Sequence, residues 1–302
     1  MNCCHWYKIM ANEQHPLSDV FSGDDLERLR AGLCVDSGGK ADDNIAGELT
    51  EDYCHPNSYV LSVGDWFRQA ARHGEAVRED YRRRLRSAVS DRNAYLQVTG
   101  ELMAVHFLEG LGYCLQHIPR SQTPTPDFVI SRSGMDIAVE VKTIVGGIPV
   151  GVTGFAGAVA SPAPAVRKAL KDVRRQMQRG NVNVVFVVDC WRPAIMHRHA
   201  FDALYGDLHL AMLYGPDGPV GDWHEVRNEN VRLQPDLNTR ISAVGFAKWM
   251  GEPDVPGYFV HNVHATNPIP PEMLDPCPQL VYDSKHMDTE GTHIRLAWRN
   301  LG

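Results

Sequence analysis

The chain has no apolar run of about 18 residues, the length a membrane-spanning helix needs, so no span is expected. Met1 to His5 shows no charged region leading into an apolar segment, and a cytoplasmic protein without membrane partners is expected. Paired cysteine spacing is also lacking. The seven cysteines are odd in number and scattered, with no Cys-x-x-Cys among them. They read as reduced thiols, not as a disulfide framework or a zinc site built from Cys3, Cys4, His5, Cys54 and His55. Neither a Walker phosphate loop nor Gly-x-Gly-x-x-Gly occurs, which removes nucleotide cradles of those types. No internal repeat, helix-turn-helix pattern or zinc finger is found.

The 302 residues present can bury about three quarters of the unfolded chain's surface. The net charge is −7 and is unevenly spread. Residues 1–63 carry eleven acids against four Lys or Arg, so the rest of the chain is neutral. This acidic part is expected to be a loosely ordered N-terminal region, with a short helix near Asp24 to Leu33 and a loop over Asp36 to Asp52. Residues 64–302 are expected to form the folded domain, with its core at about 90–190. Basic residues are concentrated in two stretches. Phe67 to Arg92 holds eight arginines against four acids, and Arg167 to Arg179 holds six basic residues against one acid. Local stripes of this kind bear on phosphate binding more than the total does.

Three short phrases carry chemistry. Gly100-Glu101-Leu102 lies in a helix expected to begin at a Ser90-Asp91 cap and to stop at Gly112. Glu101 sits beside the stripe Val98, Leu102, Val105 and Leu108, where a carboxylate is costly unless paired or metal-bound. Pro126-Asp127-Phe128 opens one strand, Ser131-Arg132-Ser133-Gly134 makes a turn, and Glu140-Val141-Lys142 belongs to the returning strand. A turn centred between Ser133 and Gly134 sets Asp127 opposite Glu140, roughly 5 Å apart and close enough to share a divalent cation. Glu140 and Lys142 then share a face, with Val139 and Val141 on the other. Asp136 stands roughly 13 Å along the strand from Glu140 and reads as a turn-edge residue.

Helix Glu, Pro-Asp, hairpin and Glu-x-Lys, in that order, resemble the PD-(D/E)xK nuclease superfamily. The resemblance implies an α/β, restriction-endonuclease-like core, a mixed sheet flanked by helices in the order α-β-β-β-α-β. It implies Glu101, Asp127, Glu140 and Lys142 as the catalytic set, with Mg2+, or Mn2+ in its place, on Asp127, Glu140 and Glu101. Hard oxygen ligands suit these ions. Lys142 would orient the attacking water and offset charge. Gln176 resembles a glutamine that many members carry in the next helix, with Gln178 as its rival. The implied activity is phosphodiester hydrolysis in DNA, for restriction, defence or repair, leaving a 5′ phosphate; cutting both strands would call for a homodimer. RNA cleavage, or a silent nucleic-acid-binding module on the same fold, are the alternatives.

Around this core the pattern predicts an amphipathic helix from Asp65 to Ala88. Its arginines either approach a phosphate backbone or form pairs such as Glu79 with Arg83. Val145 to Ala160 reads as a loop at the mouth of the site. Ser161-Pro162 starts a helix with Val166, Leu170, Val173 and Met177 inside, and with Arg167, Lys171 and Arg174 as candidate phosphate contacts. Asn183 to Val188 reads as a central strand. A helix is expected at Phe201 to Leu213, and strands at Ile241 to Phe246 and Tyr258 to Val263. His261-Asn262-Val263-His264, like His197 and His199, reads as structural.

Overall fold

The computed structural model describes residues 15–28, 58–118, 125–147, 161–173, 176–177, 179–192, 195, 197–206, 208–215, 218–227, 232–234, 237–248, 257–282 and 296–300. The chain forms two compact units: residues 1–110 with 249–252, and residues 111–248 with 253–302. The expected division at 63 falls inside a helix. Among the described residues no helix is long and apolar enough to cross a membrane.

The first unit is helical. A short helix at 23–28 precedes α1 (Ser58–Ala70), α2 (Glu75–Ala88) and α3 (Arg92–Gly110). Ser22 and Asp25 cap the short helix reciprocally: Ser22 N–H donates to Asp25 Oδ2 at 2.9 Å, and Asp25 N–H donates to Ser22 Oγ at 3.2 Å. α3 starts as its sequence predicts, with Asp91 Oδ1 accepting from Ala94 N–H at 3.1 Å. Buried residues run round most of its circumference, from Tyr95 and Val98 to Leu102, Val105 and Leu108. Most α2 arginines are turned to protein partners. Arg82 Nε donates to the Asp19 carbonyl at 2.9 Å, and Arg86 Nε to the Val20 carbonyl at 2.8 Å. Arg86 also pairs with Asp25 at 2.6 Å. Among the described residues, ion pairs along α2 join Arg78 to Glu75, Arg82 to Glu79 and Arg83 to Asp80, each three residues apart, and Arg84 to Asp80, four apart, but not the expected Glu79 to Arg83.

The second unit is α/β. Its eight-stranded mixed sheet has the order β1 (Cys114–His117), β2 (Phe128–Arg132), β3 (Met135–Gly147), β4 (Val182–Arg192), β7 (Ala243–Lys248), β8 (Tyr258–His261), β9 (Gln279–Tyr282) and β10 (Leu296–Arg299). Parallel pairing joins β3 to β4 and β4 to β7, so β4 is central, and residues 183 to 189 are all buried. α4 (Ala163–Val173) makes the crossover between β3 and β4, and α5 (His197–Tyr205) follows β4. Val166, Leu170 and Val173 of α4 pack with Ala200, Ala203 and Leu204 of α5 on Ile144, Val185, Val187, Val244 and Phe246. On the opposite sheet face, Gly245 leaves room for aromatic rings: a β-carbon there would lie 2.6 Å from Phe259 and 2.7 Å from Phe186.

Two expected helices are corrected. The helix expected from Asp65 to Ala88 is α1 and α2, parted at Ala71–His73 and at Gly74, whose φ is 119°. α5 ends at Tyr205, where Gly206 takes a φ of 93° that L residues rarely adopt, and Leu208–Gly215 is instead β5, paired with β6 (Gly218–Arg227). The loop expected over Asp36 to Asp52, residues 148–160, Arg174, Gln178 and the N-terminal Cys and His residues lie outside the described residues.

Candidate active site

The β2–β3 hairpin turns through Ser133 and Gly134, with φ values of 51° and 78°. This is the doubly left-handed geometry whose twist suits a two-residue hairpin. It sets the expected register, from Arg132 against Met135 to Phe128 against Val139. One residue further on, Asp127 leaves the regular ladder and straddles Glu140. Its N–H donates to the Val139 carbonyl at 3.0 Å, and its Oδ2 accepts the Val141 N–H at 2.8 Å. Asp127 is thus tied to both chain neighbours of Glu140. Its own carbonyl accepts from Ile118 N–H at 3.2 Å, which fastens the start of the hairpin to the end of β1.

Glu140 is only 1% exposed, deeper than its sequence suggests. Strand alternation puts Glu140, Lys142 and Ile144 on one face, and Ile144 belongs to the core beneath α4. Removing a carboxylate from water costs several kcal/mol unless a partner answers it. Lys142 supplies that partner, with Nζ 2.6 Å from Glu140 Oε1, and keeps about a quarter of its own side chain exposed. Val139 and Val141 are buried, as expected. Asp136 is exposed and accepts from Ser131 Oγ at 2.5 Å, which agrees with a turn-edge role.

The remaining site candidates behave differently. Glu101 belongs to the helical unit, where it is buried and its Oε1 accepts from Arg84 at 2.5 Å. Burial opposes the charge on Arg84, but the Glu101 carboxylate outweighs it and holds the guanidinium above its usual pKa. Nothing in the spacing of residues 84 and 101 announces this contact. Gln176 is not in the helix. α4 ends at Val173, and Gln176 lies in a turn beyond it, its N–H donating to the Val173 carbonyl at 2.9 Å. Arg167 lies along the α4–α5 seam, its NH1 3.3 Å from the Asp202 carbonyl, whereas Lys171 is exposed.

Several polar groups confirm a structural role. His261 Nε2 bonds Gln279 Oε1 at 2.8 Å, Asn262 donates to the Ile241 carbonyl at 2.8 Å, and burial pushes the pKa of His261 below its ordinary value. Asp275, which the sequence reading passed over, is a hub that accepts from Arg299, Asn300 and Gln279. Among the described residues, no three or more His, Cys, Asp or Glu side chains are grouped to hold a metal. Cys114, exposed, and Cys277, buried, are free thiols, and burial raises the Cys277 pKa to about 11. Comparison of the chain with protein-family models, curated proteins and solved structures found no match.

Proposed function

We propose that the β2–β3 hairpin is the active centre of a metal-dependent nuclease of the PD-(D/E)xK type. The observation that carries the reading is the bracing of Asp127 against both neighbours of Glu140, with the Lys142 ammonium on the Glu140 carboxylate. Two acids and one cation converge on one end of one hairpin without help from a distant loop. The element order α3, β1, β2, β3, α4, β4 agrees with the core that such nucleases share.

Asp127 and Glu140 fit a hard divalent cation by donor chemistry, since both offer carboxylate oxygens. Two protein ligands suffice for magnesium, which keeps several waters and takes further oxygens from a substrate phosphate. When bound, the ion supplies Lewis acidity and neutralises phosphate charge. The chain's own part is positional. The Val141 N–H holds Asp127 so that its carboxylate needs no reorganisation, and Lys142 offers a cation where negative charge grows on the phosphate. Glu101, already answered by Arg84, is not required by this arrangement.

The test is digestion of duplex DNA, single-stranded DNA and RNA in Mg2+ or Mn2+ by the wild type and by Lys142→Ala. DNA cleavage by the wild type alone supports the proposal, and double-strand cleavage with one centre per chain would pair two copies. A second reading draws on one observation: Glu140 is 1% exposed and already ion-paired, so this centre can also be a silent relic in a nucleic-acid-binding module. Salt-dependent binding without cleavage in either metal would select it.

A further inference from the structure

In the helical unit, a shallow groove of about 210 Å3 runs where α1 passes through a single 3-10 turn (Ala71–His73) into α2. Phe67 forms its floor, Arg68, Arg72 and Arg78 line it, and Asp19 and Glu75 are its two acids. The three arginines differ in how far they are engaged. Arg68 is tied to Asp65 at 2.5 Å and to the Pro16 carbonyl at 3.0 Å. Arg78 is held loosely between Asp19 at 3.7 Å and Glu75 at 3.6 Å. For Arg72, exposed at the groove's edge, no ion pair is found among the described residues. Arg82, Arg84 and Arg86, one and two turns further along α2, are all committed to protein oxygens within the unit.

This contrast separates arginines that hold the fold from those that do not. A guanidinium keeps its charge at any physiological pH and presents a fork of donors matched to phosphate oxygens. Arg72 spends that fork on nothing described, and Arg78 pairs at distances near the outer limit for an ion pair. The first turn of α2 borders the groove as well. Its cap, Gly74, carries no side chain to accept the first N–H groups, so the positive end of a 14-residue helix borders the groove beside the loosely paired Arg78.

We infer that the Arg72–Arg78 groove binds a phosphate of a nucleic-acid backbone. The inference deepens the nuclease reading by assigning a contact for the substrate strand, and it rests on that reading for its choice of nucleic acid over other phosphate esters. Arg72 provides the principal contact. Arg78 exchanges its loose carboxylate partners for the phosphate, and Glu75 opposes binding, because its charge competes for Arg78 and repels the strand.

The experiment measures binding of a fluorescent single-stranded DNA and of the matching duplex to the full chain in EDTA, between 50 and 200 mM salt, so that no cleavage intervenes. The variants are Arg72→Gln and Glu75→Gln, each checked for an unchanged thermal transition. A lost phosphate contact lowers the salt slope by about 0.7 to 0.9, so across this range the wild type weakens roughly threefold more than Arg72→Gln. Glu75→Gln should bind more tightly than the wild type, an outcome that a merely structural role for the arginines does not produce. Inorganic phosphate in place of salt should compete for the wild type and not for Arg72→Gln. Equal salt slopes for wild type and Arg72→Gln would overturn the inference, whether or not the protein cleaves DNA. Failure of cleavage in a separate magnesium digest, with the slope difference intact, would overturn the nuclease reading and leave the groove standing.

Discussion

Arg84 and Glu101 show what a single buried pair costs and returns. Both side chains are largely withdrawn from water and meet at 2.5 Å. Truncating one member of such a pair leaves an unanswered buried charge, a loss of about 3–5 kcal/mol. Arg84→Ala should therefore lower the urea midpoint substantially, while Arg84→Met combined with Glu101→Leu should recover most of the loss, because the desolvation penalty goes with the charges. At the hairpin the expectation differs. Glu140→Gln can still accept a hydrogen bond from Lys142, so the fold should survive while cleavage is lost with the carboxylate charge that would hold the metal; Lys142→Gln, which removes the group aimed at developing charge, should lower cleavage by about 10²–10³-fold. Circular dichroism and a digest on the same preparation separate the two effects. The residues of this hairpin were legible in the sequence because alternation and a two-residue turn dictate which side chains share a face. The Arg84 contact was not, since it joins two helices through tertiary packing with no spacing rule behind it.

Among the elements, β4 is the member on which the second unit depends. Parallel neighbours hold both its edges and residues 183 to 189 are all buried, which is why its sequence is a nearly continuous apolar run and why the strand could be located without a structure. Beside it, β7 contributes Gly245 where two aromatic rings meet. Gly245→Ala would drive a methyl group to 2.6 Å from Phe259 and 2.7 Å from Phe186, both on a packed sheet. Overpacking of this kind costs about 1–3 kcal/mol, and thermal unfolding of the variant should show a lowered midpoint with unchanged strand content. The helix ends were harder to read. The apolar periodicity of residues 166 to 177 continues through Met177, yet α4 ends at Val173. Gln176, placed in the helix by its resemblance to a glutamine of the nuclease superfamily, sits in a turn, its N–H reaching the Val173 carbonyl three residues back. The helix expected over Phe201 to Leu213 failed for a different reason: the apolar residues of a strand imitated a helical stripe, and Gly206 was the stop signal.

For the whole molecule, pH acts through groups that burial has displaced. His261, buried between Gln279 and the end of β8, has a pKa below its ordinary 6.5. The unfolded chain thus binds a proton that the folded chain refuses, so this contribution to stability is complete above about pH 6.5 and is lost as the pH falls toward the depressed value. His264 is shifted in the same direction. Melting temperature should decline from pH 7 to pH 5, and His261→Asn should flatten that decline whatever it does to stability at pH 7. The two compact units also divide the chemistry: one carries the arginine-rich helix and the Arg72–Arg78 groove, the other the hairpin with Asp127, Glu140 and Lys142. The measurement that bears most directly on the hairpin is a supercoiled-plasmid digest with the wild type and Asp127→Ala, in magnesium, in manganese and in EDTA. An active centre built on this hairpin predicts cleavage by the wild type in either metal, none in EDTA and none by the variant. Equal cleavage by both proteins, or none by either under any condition, would contradict it.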